Sequence, residues 1–129
     1  MLKKLKLRRD KKMNMRNIDI PKILNGKTMT GRDVSFKIRI RNDHNFISTR
    51  KYGSFGKADI SKVFIKKIGD LTPNELKMLG YSSINEYLAE PFNKGLTVNS
   101  EKKWIVWTNF RPNWEVINKI LKKLTGVKK

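Results

Sequence analysis

Two helix-start signals set close together, at residues 72–75 and 83–86, decide the class of fold open to this chain. Thr72-Pro73-Asn74-Glu75 supplies an N-cap hydroxyl, a first-turn proline and a carboxylate able to reach back to the cap, and Gly80 ends that helix. Ser83-Ile84-Asn85-Glu86 repeats the cap, and Pro91 limits the second helix. Both helices are therefore short. Much of the remaining chain is patterned for strands. Residues 34–41 alternate without a fault, with Val34, Phe36, Ile38 and Ile40 on one face and Ser35, Lys37, Arg39 and Arg41 on the other. A turn over residues 42–45, containing His44, leads to a second, antiparallel strand over 46–52. Residues 58–68 carry Ile60, Val63, Phe64, Ile65 and Ile68; the alternation breaks near Val63, as at a bulge or in a strand buried on both sides. After a turn over residues 99–103, residues 104–110 make a closing strand. Ahead of all these, residues 17–24 are expected to form a short helix or turn, with Asp19 as a cap and Pro21 suited to the first turn. At the far end, residues 113–124 place Trp114, Ile117, Ile120, Leu121 and Leu124 on one helical face, with Lys119, Lys122 and Lys123 opposite and Gly126 as the stop. The pattern is that of an α+β protein.

At 129 residues the chain fits one domain with a real core. Three parts are expected: a basic and mobile N-terminal arm over 1–16, a folded domain over 17–111, and the amphipathic helix over 112–129. Lysine and arginine number 30 against 11 aspartates and glutamates, a formal charge of +19. Heat-adapted surfaces rich in lysine balance it with glutamate, and this chain does not. The excess favours a polyanionic partner, nucleic acid before membrane. An anionic membrane would be served by the C-terminal helix, although packing onto the domain is the commoner fate of such a helix. The absence of cysteine excludes disulfides, zinc fingers and thiol catalysis, and His44 alone makes no metal site. No metal or other cofactor is expected. No apolar run approaches the roughly twenty residues of a membrane helix, and residues 1–12 lack the apolar core of a signal peptide. A cytoplasmic protein without a membrane partner is expected. A helix-turn-helix reading of residues 72–91 is disfavoured, because the second helix offers Asn85, Glu86 and Glu90 and no cation before Lys94.

Residues 25–33, Asn-Gly-Lys-Thr-Met-Thr-Gly-Arg-Asp, combine a glycine turn, two hydroxyls and two cations, which can converge on a phosphate or a nucleobase. Gly26-Lys27-Thr28 has the look of the end of a phosphate-binding P-loop. That motif needs a glycine where Pro21 stands and a helix where the strand pattern begins. A plain solvated turn is the simpler alternative. Residues 50–57 hold two aromatics, two glycines and three cations, a composition suited to stacking bases and gripping phosphates. They suit equally a glycine hairpin with its aromatics tucked into the core.

Lys27-Thr28-x-Thr30-x-Arg32-Asp33 resembles the signature near the start of ASCH domains, small PUA-like barrels that bind or act on RNA. The family's usual glycine lies two places before the lysine, where this chain has Asn25. Ala58-Asp59-Ile60, Gly69-Asp70-Leu71-Thr72, Leu79-Gly80-Tyr81-Ser82-Ser83 and the strand at 104–110 follow in the family's order, so the likeness covers residues 18–110. It implies a β-barrel of about five to six mostly antiparallel strands, two short helices and the C-terminal helix packed on the barrel.

The resemblance implies two functions of different class. The first is nucleic-acid binding, RNA favoured over DNA, in a cleft lined by Lys27, Thr28, Thr30 and Arg32. Arg39, Arg41, Arg50, Lys51 and Lys57 would add phosphate contacts, with Tyr52 and Phe55 as stacking residues. The second is an amidohydrolase acting on acetylated cytidine, whose lysine and threonine correspond to Lys27 and Thr30. The family glutamate falls at Leu79 here, and losing a general acid or base costs on the order of 10²–10⁴ in rate. Binding is therefore favoured over catalysis. DNA as the target, or a scaffold whose basic surface is structural, fits the charge as well.

Overall fold

The computed structural model describes residues 13–49 and 52–125, and of residues 46–49 the backbone alone. Expectations that rest on residues 1–12, Arg50, Lys51 and Gly126 lie outside the described residues. The chain runs β1 (Met13–Asn14), α1 (Asp19–Leu24), β2 (Met29–Arg32), β3 (Arg41–Thr49), β4 (Gly53–Lys67), α2 (Pro73–Leu79), α3 (Ile84–Leu88), β5 (Glu101–Pro112) and α4 (Trp114–Thr125). The class is α+β. The strands form one sheet in the order β1-β3-β4-β5-β2, in which β1 lies parallel to β3 and the other pairs are antiparallel.

The sheet is not closed into a barrel, contrary to the expected one. Its edge strands β1 and β2 share no backbone ladder among the described residues, because they are only two and four residues long. A side chain links them instead. The Arg32 guanidinium at the end of β2 donates to the Asn14 carbonyl of β1 at 2.8 Å.

β5 explains the sheet's thickness. Trp104, Ile105, Val106 and Trp107 are all buried, and alternate residues enter opposite cores. Ile105 and Trp107 pack with Phe55 and Ile60 of β4, Ile20 and Ile23 of α1, and Ile117 and Ile120 of α4. Trp104 and Val106 pack with Met29, with Leu76 and Leu79 of α2, and with Tyr87 of α3. Met13 and Met15 are buried in the first core, so the fold takes in residues that the sequence assigns to a mobile arm. Trp114, at the start of α4, is 53% exposed rather than part of that helix's buried face.

Helix starts follow the local code. Thr72 and Glu75 bond reciprocally around the first turn of α2, and Ser83 accepts from the Glu86 N–H at the start of α3. α1 departs from it: Ile18 holds the cap position, and the Asp19 carboxylate instead accepts from Arg16.

Residues 34–40 form no strand, despite their alternation. The Asp33 carboxylate accepts from both the N–H and the hydroxyl of Ser35, and the Phe36 N–H donates to the Asp33 carbonyl at 2.9 Å. This side-chain-driven turn breaks the extended run just after β2. The Phe36 carbonyl then accepts from the Lys103 ammonium at 2.5 Å instead of joining a ladder. The apolar face survives in part, since Phe36 and Ile38 are half-buried against the first core while Val34 and Ile40 are exposed. The expected turn at 42–45 is an irregular stretch inside β3. Asp43 takes a left-handed φ of 64°, and the register against β4 slips between Arg41 and His44.

Candidate functional site

A cavity of about 490 Å³ opens beside the edge strand β2. Lys27, Thr30 and Arg32 reach it from β2 and the preceding loop, and Lys102 from β5. Tyr81, Tyr87 and Phe92 form its aromatic wall, and Arg16 and Asp19 close the side next to β1.

Lys27 is placed by a helix ending. The Lys27 N–H donates to the Lys22 carbonyl at 2.9 Å and the Gly26 N–H to the Ile23 carbonyl at 3.2 Å, with Gly26 at φ 111°. This paired closure of α1 favours glycine at position 26, one place later than in the ASCH pattern. The next residue is tied to the second helical layer, since the Thr28 N–H donates to the Met78 carbonyl of α2 at 2.9 Å. No helix follows Lys27-Thr28, so the P-loop geometry is not present.

Lys27 is 7% exposed, and its ammonium donates to the Leu79 carbonyl at 2.6 Å. Burial is the main cause that lowers its pKa to about 8. Lys102, 6% exposed, donates to the Tyr87 hydroxyl at 2.7 Å and to the Asn93 side-chain carbonyl at 2.9 Å. Burial again lowers its pKa to about 8. Arg32 donates to the Thr30 hydroxyl at 2.8 Å and to the Gly31 carbonyl at 2.9 Å, and burial pulls its pKa down as well. Among the described residues, none of these three cations has an ion-paired carboxylate.

The carboxylates nearby are committed elsewhere. Arg16 pairs with Asp19 and with Glu90, each at 3.1 Å, and the Tyr81 hydroxyl donates to Glu90 at 2.6 Å. Burial works against the Arg16 charge, but both carboxylates outweigh it and hold the guanidinium above its ordinary value. Arg16 and then Tyr81 keep Glu90 below its usual range. Leu79, where the resemblance to ASCH domains would put a glutamate, sends its side chain into the second core and only its carbonyl to Lys27. Glu75, one turn earlier, is held by Lys66 at 2.8 Å and by the helix cap. The site is thus a cationic, aromatic-walled cavity with no spare acid deep inside it. Asp33 and Glu101 sit exposed at its rim.

Of the residues singled out by sequence, Lys27, Thr30 and Arg32 come together in the cavity, whereas Thr28 is half-buried outside its lining. Arg39, Arg41 and Lys57 lie outside it too; Lys57 pairs with Asp43 at 3.7 Å. Residues 53–57 belong to β4 rather than to a base-stacking loop. Phe55 is fully buried edge-to-face against Phe110, 6.1 Å between centroids, and Tyr52 packs against the same core. Phe55 is therefore not a stacking residue.

Sequence reasoning missed Lys102, Tyr81, Tyr87 and Phe92. Lys102 had a signal: it shares strand parity with Trp104 and Val106, which face the second core. No protein-family model matches the chain, and no match to it was found among curated proteins or among solved structures.

Proposed function

We propose that the protein binds nucleic acid, RNA in preference to DNA, and that the cavity receives a nucleotide while the basic surface tracks phosphates. One observation carries this reading: two lysines more than nine-tenths buried and one arginine face a cavity without a paired carboxylate, beside Tyr87 and Phe92. Burying unpaired cations is costly, and a site that keeps them is built for an anion. The motif at residues 27–33 and the charge of +19 point the same way, and the motif is what favours RNA. We assign the open sheet, its edges joined by Arg32, as the counterpart of the PUA-like barrel in the ASCH family.

Photo-crosslinking with RNA that carries 4-thiouridine tests the reading. Adducts are expected on Tyr81, Tyr87 or Phe92. Adducts confined to residues outside the cavity would sink it. Surface contacts have a separate signature: changing Arg39 and Arg41 together to Ala should weaken binding to every sequence and flatten the salt slope by about two. An unchanged slope would remove both arginines from the phosphate track. The pH dependence follows from the lowered lysine pKa values. A bound phosphate needs Lys27 and Lys102 protonated, so affinity should hold below about pH 8 and fall as pH rises through that value. Affinity that stays flat to pH 9.5 in anisotropy titrations would contradict this role.

An amidohydrolase is the second reading. Its support is the Lys27 amine, lowered to about 8 and so able to take a proton near neutral pH. Release of cytidine and acetate from acetylated cytidine, lost in Thr30→Val, would establish it.

A further inference from the structure

We propose that the cavity is a pocket for a phosphomonoester dianion: the terminal phosphate of a nucleic-acid strand, or that of a free mononucleotide. In its strand-end form the proposal rests on the nucleic-acid reading above. Charge balance is the first ground. Lys27, Arg32 and Lys102 bring three cations to one cavity, and the partners they touch are neutral: the Leu79, Gly31 and Asn14 carbonyls, the Thr30 and Tyr87 hydroxyls, and Asn93. Asp33 and Glu101 offset part of this charge only from the exposed rim, so an internal phosphodiester, with one negative charge, leaves interior cation charge unmatched. A terminal phosphate carries close to two and offers three acceptor oxygens.

Donor geometry is the second ground. The Lys102 ammonium has three N–H groups, of which Tyr87 and Asn93 take two and leave one for a ligand. Asn93 is itself fixed, because its amide donates to the Tyr87 carbonyl at 2.8 Å and the residue is 1% exposed. Lys27 spends one donor on Leu79 and keeps two. These donors are held ready before any ligand arrives, as electrostatic recognition requires.

Size is the third ground. At about 490 Å³ the cavity lies within the range of small-molecule sites, roughly 300–1,000 Å³, and holds one nucleotide rather than a strand. A strand end can enter through one opening, whereas an internal nucleotide must also lead its chain out again. Phe92, 49% exposed with Arg16 stacked 4.8 Å from its ring, offers a surface for the terminal base.

The test uses the full chain and one short RNA made with a 5′-phosphate, a 3′-phosphate or hydroxyls at both ends, the fluorophore attached internally. One phosphorylated form is expected to bind about tenfold or more tighter than the hydroxyl form in anisotropy titrations. Lys102→Met should cut that difference to about twofold. Displacement of the phosphorylated RNA by nucleoside monophosphate, but not by nucleoside, identifies the free mononucleotide as a source; a strand preference without such displacement identifies the strand end. Equal affinity for all three RNAs, with no displacement by nucleoside monophosphate, overturns the proposal and leaves the nucleic-acid reading standing. Nucleoside monophosphate that binds a protein showing no RNA affinity keeps the pocket and sinks the nucleic-acid reading. The comparison of RNA ends in the unmodified protein decides the matter even if the variant fails to fold.

Discussion

Gly31→Ala is expected to destabilise the protein by about 1–3 kcal/mol, and to do so through space rather than backbone conformation. A Cβ at position 31 would sit 2.6 Å from the Trp104 ring and 2.7 Å from the Tyr87 hydroxyl. Neither neighbour can give way cheaply. Trp104 is fully buried and its indole N–H donates to the Lys66 carbonyl at 2.9 Å. Tyr87 is 2% exposed, bonded to Lys102 and stacked edge-on against Tyr81 at 5.1 Å. The same substitution also pushes on the hydroxyl that anchors Lys102, so RNA affinity should fall together with the urea midpoint. Gly26→Ala is the informative contrast. Nothing lies within 4 Å of a Cβ there, but φ is 111°, so its cost is backbone strain of about 1–2 kcal/mol. A Gly31→Ala protein as stable as the wild type would mean that β2 does not approach Trp104 this closely.

Lys27→Met should raise stability while it weakens the proposed RNA binding. The variant trades a buried, unpaired ammonium for an apolar chain of similar length, worth a gain of about 1–3 kcal/mol less roughly 1 kcal/mol for the lost bond to the Leu79 carbonyl. Its pH dependence is diagnostic. Lys27 has an ordinary pKa of 10.5 when unfolded and about 8 when folded. Between those values the unfolded chain holds a proton that the folded chain has lost, so wild-type stability rises with pH across that window. The advantage of Lys27→Met should therefore be fully present below about pH 8 and shrink towards pH 10.5. RNA affinity of the variant should drop about tenfold, more than Ala at an exposed lysine such as Lys119. A variant less stable than the wild type at pH 7 would show that Lys27 is a structural residue.

What could be read from the sequence divides along the range of the forces involved. The starts of α2 and α3 are set by groups three residues apart, Thr72 with Glu75 and Ser83 with Glu86, and such bonds form whatever the rest of the chain does. Residues 34–40 failed because alternation describes burial, not pairing. Phe36 and Ile38 do turn inward, yet the short-range Asp33–Ser35 turn outweighs the periodic pattern where no partner strand is present. The irregularity at Asp43 is similar in kind, since Asn42-Asp43 reads as a reversal but is accommodated within a nine-residue strand. Thr30 and Arg32 share one face of β2 by parity, so their meeting was legible. Tyr81, Tyr87 and Phe92 reach the cavity only because α2 and α3 dock on the second core, a tertiary fact that no local pattern encodes. Arg16 was hidden for the same reason, in a stretch whose charge density suggests an arm.

The most direct test is an anisotropy titration of nuclease-treated protein, wild type and Arg32→Met, against matched single-stranded RNA, single-stranded DNA and duplex DNA at two salt concentrations. If the cavity reads a nucleotide, the wild type prefers RNA at both concentrations and Arg32→Met loses the preference while keeping the salt-sensitive background. Equal binding to all three nucleic acids, collapsing with salt and indifferent to Arg32, would leave only the surface charge and contradict the proposed site.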